Sequence, residues 1–334
     1  MLILRHSDVR QALDGREAEM IEAVAAAYRQ HDRGESALPH SIFLRFPGDD
    51  RNRIIGLPAY LGGEDAAAGM KWIASFPGNL EAGLERASAS IVLNSLRTGR
   101  PEALIEASLI SARRTAASAA LAARVLAADP DPDGLSLLGC GVINFEVLRF
   151  CLADRPGLTS VTVMDRDPAR AAAFADRVRA ERPGLRVAVT DDARTAMTAH
   201  PLISIATTAI EPHLDLTGVD PSSTVLHISL RDLTAAGVPR AQNVVDDADH
   251  VCRERTSLHL AEQLTGNRDF IDTSIGRILN SGSFRRDPAR PVVFSPFGLG
   301  VLDLALARLA RDRAREQGLG LSVDDFLPGP VPVH

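Results

Sequence analysis

The stretch LSLLGCGVIN, residues Leu135–Asn144, decides how this chain is expected to fold. A short buried strand runs into a turn in which Gly139 and Gly141 hold the first two positions of the pattern G-x-G-x-x-G. The small residues of that pattern let the backbone approach a pyrophosphate at the N-terminus of the following helix, and Asn144 stands where the third glycine is usual. The stretch therefore predicts a dinucleotide site at the first turn of a doubly wound parallel sheet.

The residues after this turn alternate between strand and helix patterns, which is typical of a parallel sheet. The next predicted strand, Ser160–Met164, ends at Asp165, whose carboxylate is placed to accept hydrogen bonds from ribose hydroxyls. Its charge would repel a 2′-phosphate and favours NAD over NADP, while the neighbouring Arg166 keeps NADP open. We predict a Rossmann-type NAD-binding domain over residues 113–297. Further cofactor contacts are expected from residues at the start of the helix and after later strands, namely Val142, Ile143, Thr207, Thr208, Ser295 and Gly298.

Composition excludes several other classes of protein. The chain has 334 residues, 45% of them hydrophobic and 24% charged, and its formal net charge is −6. These values indicate a globular protein of about two domains that does not bind nucleic acid. No apolar stretch approaches the ~18 residues of a membrane span. Because the three cysteines and nine histidines show no disulfide or metal-ligand spacing, we expect a cytoplasmic protein without a metal site.

Residues 1–112 carry a different pattern from the NAD-binding domain. A helix is predicted over Asp14–Arg29, followed by short strands, of which Gly69–Phe76 alternates a tryptophan side with a side that carries Lys71. Lys71 is the only lysine among 37 Lys and Arg residues, and a buried lysine, unlike arginine, can lose its proton near neutral pH. We predict that residues 1–112 and the C-terminal residues 298–334 form a mixed α/β domain that binds substrate.

Several longer stretches resemble the ornithine cyclodeaminase/μ-crystallin family along essentially the whole chain. They are GMKW at 69–72, RTAAS at 114–118, GCG at 139–141, Asp232 after a strand, and SPFG at 295–298. Within that family, the chain is similar to a branch of dehydrogenases that make L-2,3-diaminopropionate. The stretches that carry this resemblance are HSIFLRFP at 40–47, LPAYLGG at 57–63, KWIASFP at 71–77 and RASA at 86–89. The resemblance implies NAD-dependent oxidative cleavage of N-(2-amino-2-carboxyethyl)-L-glutamate to 2,3-diaminopropionate and 2-oxoglutarate, in siderophore or antibiotic biosynthesis.

The resemblance implies two catalytic residues. Asp232 follows the predicted strand Thr224–Ile228 and should lie at the carboxyl edge of the sheet, where it could hold an ammonium, stabilise an iminium charge and exchange protons. Lys71 could anchor a substrate carboxylate as an ammonium or, with a pKa lowered by burial and by neighbouring arginines, activate water. The sequence does not separate these two roles of Lys71.

Four further residues are candidates for substrate binding. Arg114 resembles the carboxylate clamp of the family, whereas its neighbour Arg113 is expected to be a solvated surface residue. His40 and Arg86 stand where cyclodeaminases carry an arginine and a threonine, and Arg45 is a further clamp candidate. A guanidinium in place of a hydroxyl suits a substrate with more carboxylates, and the glutamate conjugate has three where ornithine has one. The family further implies a homodimer formed through the sheet of the first domain.

Two other functions stay open from the sequence. An ornithine or lysine cyclodeaminase, or a related imine reductase or amino-acid dehydrogenase, would use the same parts, and Arg86 and His40 argue against the cyclodeaminase. A non-catalytic nucleotide- or ligand-binding protein of μ-crystallin type would have the same fold, and the presence of both Lys71 and Asp232 argues against it. The partner expected for the leading function is a small amino-acid conjugate.

Overall fold

The computed structural model describes residues 1–128 and 132–329, which divide into two compact units. The first unit contains Met1–Arg16, Arg33–Arg114 and the described residues from Gly300 onward. The second unit contains Glu17–Asp32 and the described residues of Thr115–Leu299. Each unit is therefore assembled from separate segments of the chain.

The strands and helices are numbered in chain order. The strands are β1 (Leu2–Leu4), β2 (Ser36–Ala37), β3 (Ile42–Phe46), β4 (Asp49–Leu61), β5 (Ala67–Ser75), β6 (Ala87–Asn94), β7 (Pro101–Glu106), β8 (Gly134–Leu138), β9 (Ser160–Met164), β10 (Arg186–Thr190), β11 (Leu202–Ile205), β12 (Thr224–His227), β13 (Gln242–Val245), β14 (Ile271–Ser274), β15 (Val292–Ser295) and β16 (Leu321–Ser322). The α-helices are α1 (His6–Leu13), α2 (Glu17–Asp32), α3 (Ser108–Leu126), α4 (Val142–Asp154), α5 (Pro168–Glu181), α6 (Ala193–Ala199), α7 (Ala248–Val251), α8 (Ser257–Thr265), α9 (Ile275–Ser281) and α10 (Gly300–Glu316). Two short 3-10 helices cover Pro77–Ala82 and Val238–Arg240.

The sheet of the first unit is mixed. Its strand order is β16-β1-β7-β6-β5-β4-β2, with β3 paired to β4, and β1 with β7 is its one parallel pair among the described residues. Helix α10 packs across one face of this sheet, against β4, β5 and β6. Its first two turns, Gly300–Ala307, are buried throughout, because one side of the helix lies on the sheet and α1 packs against it as well.

The opposite face of the same sheet is apolar and exposed. Ile42 is 61% exposed, Leu44 45%, Tyr60 41% and Trp72 40%. The strand register places Ile42 and Trp72 on either side of Gly56, so the two side chains lie in one row. These four residues are referred to below as the outer patch. Four large apolar side chains exposed on one face of a sheet are uncommon on a protein that works as a monomer.

The sheet of the second unit is parallel throughout its described strands. Its order is β10-β9-β8-β11-β12-β15-β13-β14. The chain starts at β8, moves outward to β10 and then resumes on the other side of β8 with β11, which is the doubly wound pattern. This order confirms the fold class predicted from Leu135–Asn144. Strand β15 inserts between β12 and β13, and so the segments that follow these three strands leave the sheet at neighbouring points of its carboxyl edge.

The domain prediction was wrong about the N-terminal helix. Residues 1–112 were expected to form one domain, but α2 belongs to the second unit, where it packs against α4 and α9. Its Tyr28 hydroxyl forms a 2.7 Å hydrogen bond with Ser118 Oγ, and Gly276 of α9 lies so close that a Cβ there would meet Tyr28 O at 2.6 Å. The unit boundaries along the chain also fall at 114/115 and 299/300, in place of the predicted 112/113 and 297/298.

The expectation for Arg113 was wrong as well. Helix α3 begins at Ser108, so Arg113 lies inside its second turn, and its side chain is only 3% exposed and ion-paired with Asp14. Burial of the aliphatic stem with a paired charge is the usual way an interior arginine is accommodated. No helix among residues 1–128 and 132–329 is both long enough and apolar enough to cross a membrane.

Candidate active site

Lys71 occupies the centre of β5 on the face covered by α10. Its side chain is 2% exposed, and its cross-strand neighbours are Leu57 of β4 and Ile91 of β6. Trp72, the next residue, points to the exposed face, as the alternation in the sequence predicted. Lys71 is therefore an interior lysine whose ammonium needs partners within the unit.

Three charged side chains meet at this position. Lys71 Nζ donates a 2.6 Å hydrogen bond to Oδ2 of Asp303, and Arg114 Nε donates a 3.1 Å hydrogen bond to Oδ1 of the same carboxylate. Ser111 Oγ lies 3.4 Å from Lys71 Nζ. With two cations sharing one buried carboxylate, the cluster has a net positive charge while Lys71 is protonated, and so it favours an anionic group nearby.

The cluster changes the acidity of Lys71. Burial lowers the pKa of Lys71 to about 8, and the charge of Arg114 acts in the same direction, whereas Asp303 opposes both. The amine can therefore gain or lose a proton close to neutral pH. This supports the use of a lysine at a position where arginine would stay protonated.

The sequence analysis missed Asp303. This residue lies in the first turn of α10 and is completely buried. Its signal in the sequence is a single carboxylate within the apolar run GVLDLALA at 300–307, because a lone charge inside such a run is buried only if it is paired. The apolar run does not identify the partner of Asp303, because that partner, Lys71, lies 232 positions away in the chain.

Arg86 lies at a second position on the same sheet. It directly precedes β6, is half-buried, and donates a 3.4 Å hydrogen bond from Nη1 to Ser75 Oγ at the end of β5. Burial lowers the pKa of Arg86, and the neighbouring Arg53 of β4 lowers it further. Arg53 was not among the residues singled out from the sequence.

The other two predicted substrate residues are more exposed. His40 lies in the segment between β2 and β3 and is exposed. Arg45, on β3, is also exposed, and its guanidinium lies 5.4 Å from the ring centroid of Phe43. The structure thus brings Lys71 and Arg114 together, while His40 and Arg45 lie at the surface of the first unit.

In the second unit, the predicted cofactor residues follow strands that end at one edge of the parallel sheet. The glycine turn after β8 begins at Gly139, which has a φ of +94°, and a Cβ there would meet the carbonyl oxygen of Ala206 at 2.3 Å. Gly139 is therefore required by the backbone itself. Gly141 differs, since a Cβ there would have no atom within 4 Å, and this leaves open space next to the turn.

Helix α4 begins directly after this turn. Gly141 is its N-cap residue, and no side chain in the described part of the chain caps the helix. Val142 is 46% exposed and Ile143 is partly exposed, so the first-turn N–H groups next to the open space are available to an anion. This arrangement fits the pyrophosphate of a dinucleotide.

Asn144 explains how the turn works without its third glycine. Its Nδ2 donates to the carbonyl oxygens of Leu138 at 2.8 Å and Gly139 at 2.7 Å, and its Oδ1 accepts a 2.7 Å hydrogen bond from Ser204 Oγ of β11. The side chain is fully buried. Where a glycine would let helix and strand approach closely, the amide fills the space and ties β8 to β11.

Asp165 lies at the end of β9, beside the glycine turn. Its Oδ2 accepts a 2.8 Å hydrogen bond from the backbone N–H of Cys140, and Oδ1 accepts one of 3.0 Å from Asp167 N. The side chain remains 15% exposed, while Arg166 is exposed. Burial and the charge of Asp165 raise the pKa of Cys140 to about 12, so this thiol stays protonated.

Asp232 is the centre of a buried network at the same edge. The hydroxyl of Thr207 and the hydroxyl of Ser229 each donate a hydrogen bond to its carboxylate. His227 Nε2 lies 3.4 Å from Oδ2 of Asp232, and His227 Nδ1 lies 3.2 Å from Oγ of Ser295. Burial alone would raise the pKa of Asp232, but the hydrogen bonds of these neighbours outweigh it and the pKa is lowered. Asp232 therefore stays ionised although it is completely buried.

Asp246, a second residue missed by the sequence analysis, holds the SPFG turn. Its carboxylate accepts a 2.9 Å hydrogen bond from Phe297 N and one of 2.7 Å from Gly298 N. Gly298 has a φ of +92°, which explains a glycine at this position. Thr208, by contrast, is exposed on the segment after β11. In the described residues, no group of three or more His, Cys, Asp and Glu is arranged to hold a metal ion.

Comparison with known proteins adds to this geometry. The sequence model of the ornithine cyclodeaminase/mu-crystallin family matches residues 2–318. The chain is 29% identical over 331 residues to N-((2S)-2-amino-2-carboxyethyl)-L-glutamate dehydrogenase of Staphylococcus aureus, a match that covers 97% of this chain and 98% of that protein. It is 24% identical over 341 residues to alanine dehydrogenase of Archaeoglobus fulgidus, with 97% of this chain and 98% of that protein covered.

A solved structure is also similar over the full length. It is Δ1-pyrroline-2-carboxylate reductase of Thermococcus litoralis in complex with NADH and L-proline. Its TM-score with this chain is 0.89 at 26% sequence identity, and the superposition covers 97% of this chain and 100% of that chain.

Proposed function

Because the chain belongs to the ornithine cyclodeaminase/mu-crystallin family, we propose that it is an NAD-dependent oxidoreductase that cleaves a secondary amine, with N-(2-amino-2-carboxyethyl)-L-glutamate as substrate. The products are 2,3-diaminopropionate and 2-oxoglutarate. The observation that carries this proposal is the half-buried Arg86 beside Ser75, present in addition to the cationic cluster around Lys71. Two separate cationic positions on one sheet suit a substrate with several carboxylates.

The turn after β8 supports NAD as the cofactor. Gly141 and the first-turn N–H groups of Val142 and Ile143 would hold the pyrophosphate, and Asp165 would accept hydrogen bonds from the adenosine ribose. Bound NAD⁺ supplies the acceptor for a hydride from the substrate carbon. The remaining proposed contacts follow other strands of the same sheet, namely Arg166, Thr207, Thr208, Ser295 and Gly298.

The reaction has two stages at the substrate. Loss of a hydride from the glutamate carbon that bears the secondary amine leaves a carbon–nitrogen double bond with a positive charge. Water then adds to that carbon, and the carbon–nitrogen bond breaks to give the ketone of 2-oxoglutarate and the free amine of 2,3-diaminopropionate. The overall balance is substrate, NAD⁺ and water going to the two products, NADH and one proton. The enzyme must therefore take a proton from water and return one to the leaving amine.

We assign the proton transfers to Lys71. Its lowered pKa, about 8, allows the amine to accept a proton from water and donate it again at neutral pH. Asp303 orients the amine through the 2.6 Å hydrogen bond, and Arg114 in the same cluster binds a substrate carboxylate. Asp232, ionised and held by Thr207, Ser229 and His227, is assigned as a fixed negative charge that stabilises the cationic intermediate.

A second candidate function is the reduction of a cyclic imine such as Δ1-pyrroline-2-carboxylate. It is favoured by the similarity to the Thermococcus litoralis reductase, whose complex contains NADH and L-proline. The same hydride chemistry would then run towards the amine. Arg86 counts against this candidate, because proline has only one carboxylate and the Lys71 cluster already offers a cation for it.

Absorbance of NADH distinguishes these functions. The enzyme is mixed with NAD⁺ and the synthetic glutamate conjugate, and in parallel with ornithine, lysine, or Δ1-pyrroline-2-carboxylate plus NADH. NADH and 2-oxoglutarate in equal amounts support the proposal. Ammonia from ornithine or lysine without net NADH would make the protein a cyclodeaminase, and oxidation of NADH by the imine would make it a reductase.

The outer patch supports the proposal that the protein is a homodimer. Ile42, Leu44, Tyr60 and Trp72 present apolar side chains on the flat face of a sheet, and a second copy of the chain offers the same face for a symmetric contact. Burial of such a surface in a dimer would remove it from water.

A further inference from the structure

His227 is a completely buried histidine between two site residues of the second unit. It ends β12, and the pairing of β12 with β15 puts it beside Ser295, the last residue of β15. Its Nδ1 lies 3.2 Å from Oγ of Ser295, and its Nε2 accepts a 3.3 Å hydrogen bond from the backbone N–H of Asp232. The ring therefore connects Asp232 to the ends of two neighbouring strands. His227 was not among the residues singled out from the sequence.

The turn that brings Asp232 back to this ring is strained. Asp232 follows His227 by five positions, and Leu230 between them has a φ of +66°, where the Cβ of a leucine is crowded by the backbone. Leu230 is buried in the hydrophobic core of the second unit, and its carbonyl oxygen accepts a 2.7 Å hydrogen bond from Ser257 N. A residue other than glycine keeps such a conformation only where surrounding contacts hold it. The position of Asp232 therefore depends on the contacts of this turn with its surroundings.

The imidazole of His227 supplies such a contact at both the backbone and the side chain of Asp232. Among the described residues, Nε2 of His227 is the acceptor for the backbone N–H of Asp232, and a buried N–H without an acceptor would be costly. The same Nε2 lies 3.4 Å from Oδ2 of the carboxylate. The carbonyl oxygen of Asp232 accepts hydrogen bonds of 2.8 Å from the N–H groups of His213 and Leu214. The backbone of Asp232 is thus held on two sides, and loss of the ring would release one of them.

The position of the Asp232 carboxylate matters because its proposed task is electrostatic. A negative charge stabilises a cationic intermediate best when it is already fixed next to the place where the positive charge develops. A displacement of about 1 Å can cost about 100-fold in rate. The hydroxyls of Thr207 and Ser229 also bind this carboxylate, but a hydroxyl rotates to follow its acceptor. An imidazole that is bound at both nitrogens keeps its orientation.

We propose that His227 is a positioning residue for amine oxidation, which holds the Asp232 carboxylate toward the cationic intermediate, and that Ser295 keeps the ring of His227 in the orientation this requires. The inference rests on the proposed function, in which Asp232 stabilises that intermediate. The positive charge is created only when the hydride leaves the substrate carbon. Loss of His227 should therefore lower kcat, while KM and the affinity for NADH change little.

Two replacements of His227 separate its contacts. A glutamine amide reaches about as far as Nε2 and can bind Asp232, whereas an asparagine amide reaches about as far as Nδ1 and can bind only Ser295. We expect His227→Asn to lower kcat for the glutamate conjugate by about 10- to 100-fold, with KM within about 3-fold of the wild type. His227→Gln should keep kcat within about 5-fold of the wild type. Wild-type kcat in His227→Asn, or an equal loss in both variants, would overturn the proposal.

A double-mutant cycle tests whether His227 acts through Asp232. His227→Asn is combined with Asp232→Asn, which keeps the shape of the side chain and removes the charge that is to be positioned. In the Asp232→Asn background we expect His227→Asn to change kcat less than about 3-fold. A loss as large as in the wild-type background would show that His227 acts independently of Asp232 and would overturn the proposal. His259→Asn is a matched control that should keep wild-type kcat, since the ring of His259 contacts Gln263 and the backbone of Arg255.

Hydrogen exchange tests the contact independently of turnover. If the wild-type enzyme oxidises no tested amine, the proposed function fails, and exchange of the backbone N–H of Asp232 still tests the role of His227. We expect this N–H to exchange at least about 10-fold faster in His227→Asn than in the wild type or His227→Gln, while the N–H groups of β8 exchange equally in all three proteins. Equal exchange at Asp232 would overturn the role of His227, whichever reaction the enzyme catalyses. Faster exchange in β8 as well would overturn it too, because His227 would then stabilise the whole unit.

Discussion

Lys71 and Asp303 are 232 positions apart in the chain, and their Nζ and Oδ2 atoms are 2.6 Å apart in the first unit. The carboxylate counteracts two effects that lower the pKa of Lys71, namely burial and the charge of Arg114. The resulting pKa, about 8, is a balance between these opposing effects. Changes to any member of this cluster should therefore appear in the pH dependence of the reaction.

We expect kcat/KM of the wild type to rise with pH and to level off above about 8, because the neutral form of Lys71 accepts the proton from water. Lys71→Arg keeps a cation that cannot lose its proton. It should lower kcat by about 10²- to 10⁴-fold and remove the rising limb. The measurement is kcat/KM from pH 6 to 10. If Lys71 only anchors a carboxylate, activity would instead fall above about 8, and Lys71→Arg would stay active.

Asp303→Asn should shift the same profile to lower pH. The amide keeps the hydrogen-bonding shape but removes the charge that raises the pKa of Lys71, so burial and Arg114 lower this pKa further below 8. We expect the midpoint of kcat/KM against pH to move down by about one unit or more. Asp312→Asn is a matched control, since Asp312 lies on α10 but pairs with Arg308 and Arg311 away from Lys71. An unchanged midpoint in Asp303→Asn would contradict the assignment.

The two glycines of the turn should respond differently to alanine. Gly139→Ala places a Cβ about 2.3 Å from Ala206 O at a positive φ, so it should destabilise the fold and lower the melting temperature. Gly141→Ala has room in the protein and an ordinary φ of −104°. It should melt like the wild type but bind NADH about 10-fold or more weakly, because the added methyl occupies the space assigned to the pyrophosphate. NADH fluorescence titration measures the affinity, and wild-type affinity in Gly141→Ala would place the cofactor elsewhere.

Restoring the third glycine of the motif should harm the protein. Asn144→Gly removes the buried donor to the carbonyls of Leu138 and Gly139 and the acceptor of the Ser204 hydroxyl, and leaves a cavity where the amide was. We expect a loss of about 2–4 kcal/mol in the free energy of unfolding, measured by urea denaturation. Asn267→Gly, at an exposed turn, serves as the control and should cost less than about 1 kcal/mol. Wild-type stability in Asn144→Gly would show that the amide network contributes little.

Charge on the outer patch should dissociate the proposed dimer. Trp72→Glu places a carboxylate at the centre of the patch, where burial in an interface would be costly. We expect sedimentation velocity to show a dimer for the wild type and a monomer for this variant. Leu84→Glu, at a residue that is 61% exposed but lies outside the patch, should remain dimeric. A wild-type monomer at micromolar concentration would contradict the dimer proposal.

Much of the fold was predictable from local patterns. The alternation predicted over Gly69–Phe76 placed Lys71 on the face opposite Trp72, and the structure confirms this: Lys71 is buried and Trp72 is exposed. Periodicity predicts the buried face of a strand correctly because the alternation of buried and exposed side chains can be read from consecutive residues. The same local signal could not assign α2 to a unit, since an amphipathic helix is buried equally well against either sheet.

The candidate site was predictable only in part. Lys71 stands out in the sequence because it is the only lysine, and Asp165 because it ends a predicted strand. Asp303 does not, because its importance comes from Lys71, a partner on another element that only the tertiary fold brings next to it. Arg113 shows the converse, since the sequence gives no sign of the ion pair with Asp14 that keeps it buried.

The pairing of β1 with β16 has a consequence for biosynthesis. The first unit is made from both ends of the chain, and its sheet gains α10 and β16 only after the whole second unit has been translated. Because the second unit is contiguous apart from α2, it can fold on the ribosome while the first sheet is still incomplete. During that interval Lys71 lacks its counter-ion, because Asp303 is encoded 232 codons later. A chain truncated before α10 would therefore leave Lys71 without its buried counter-ion.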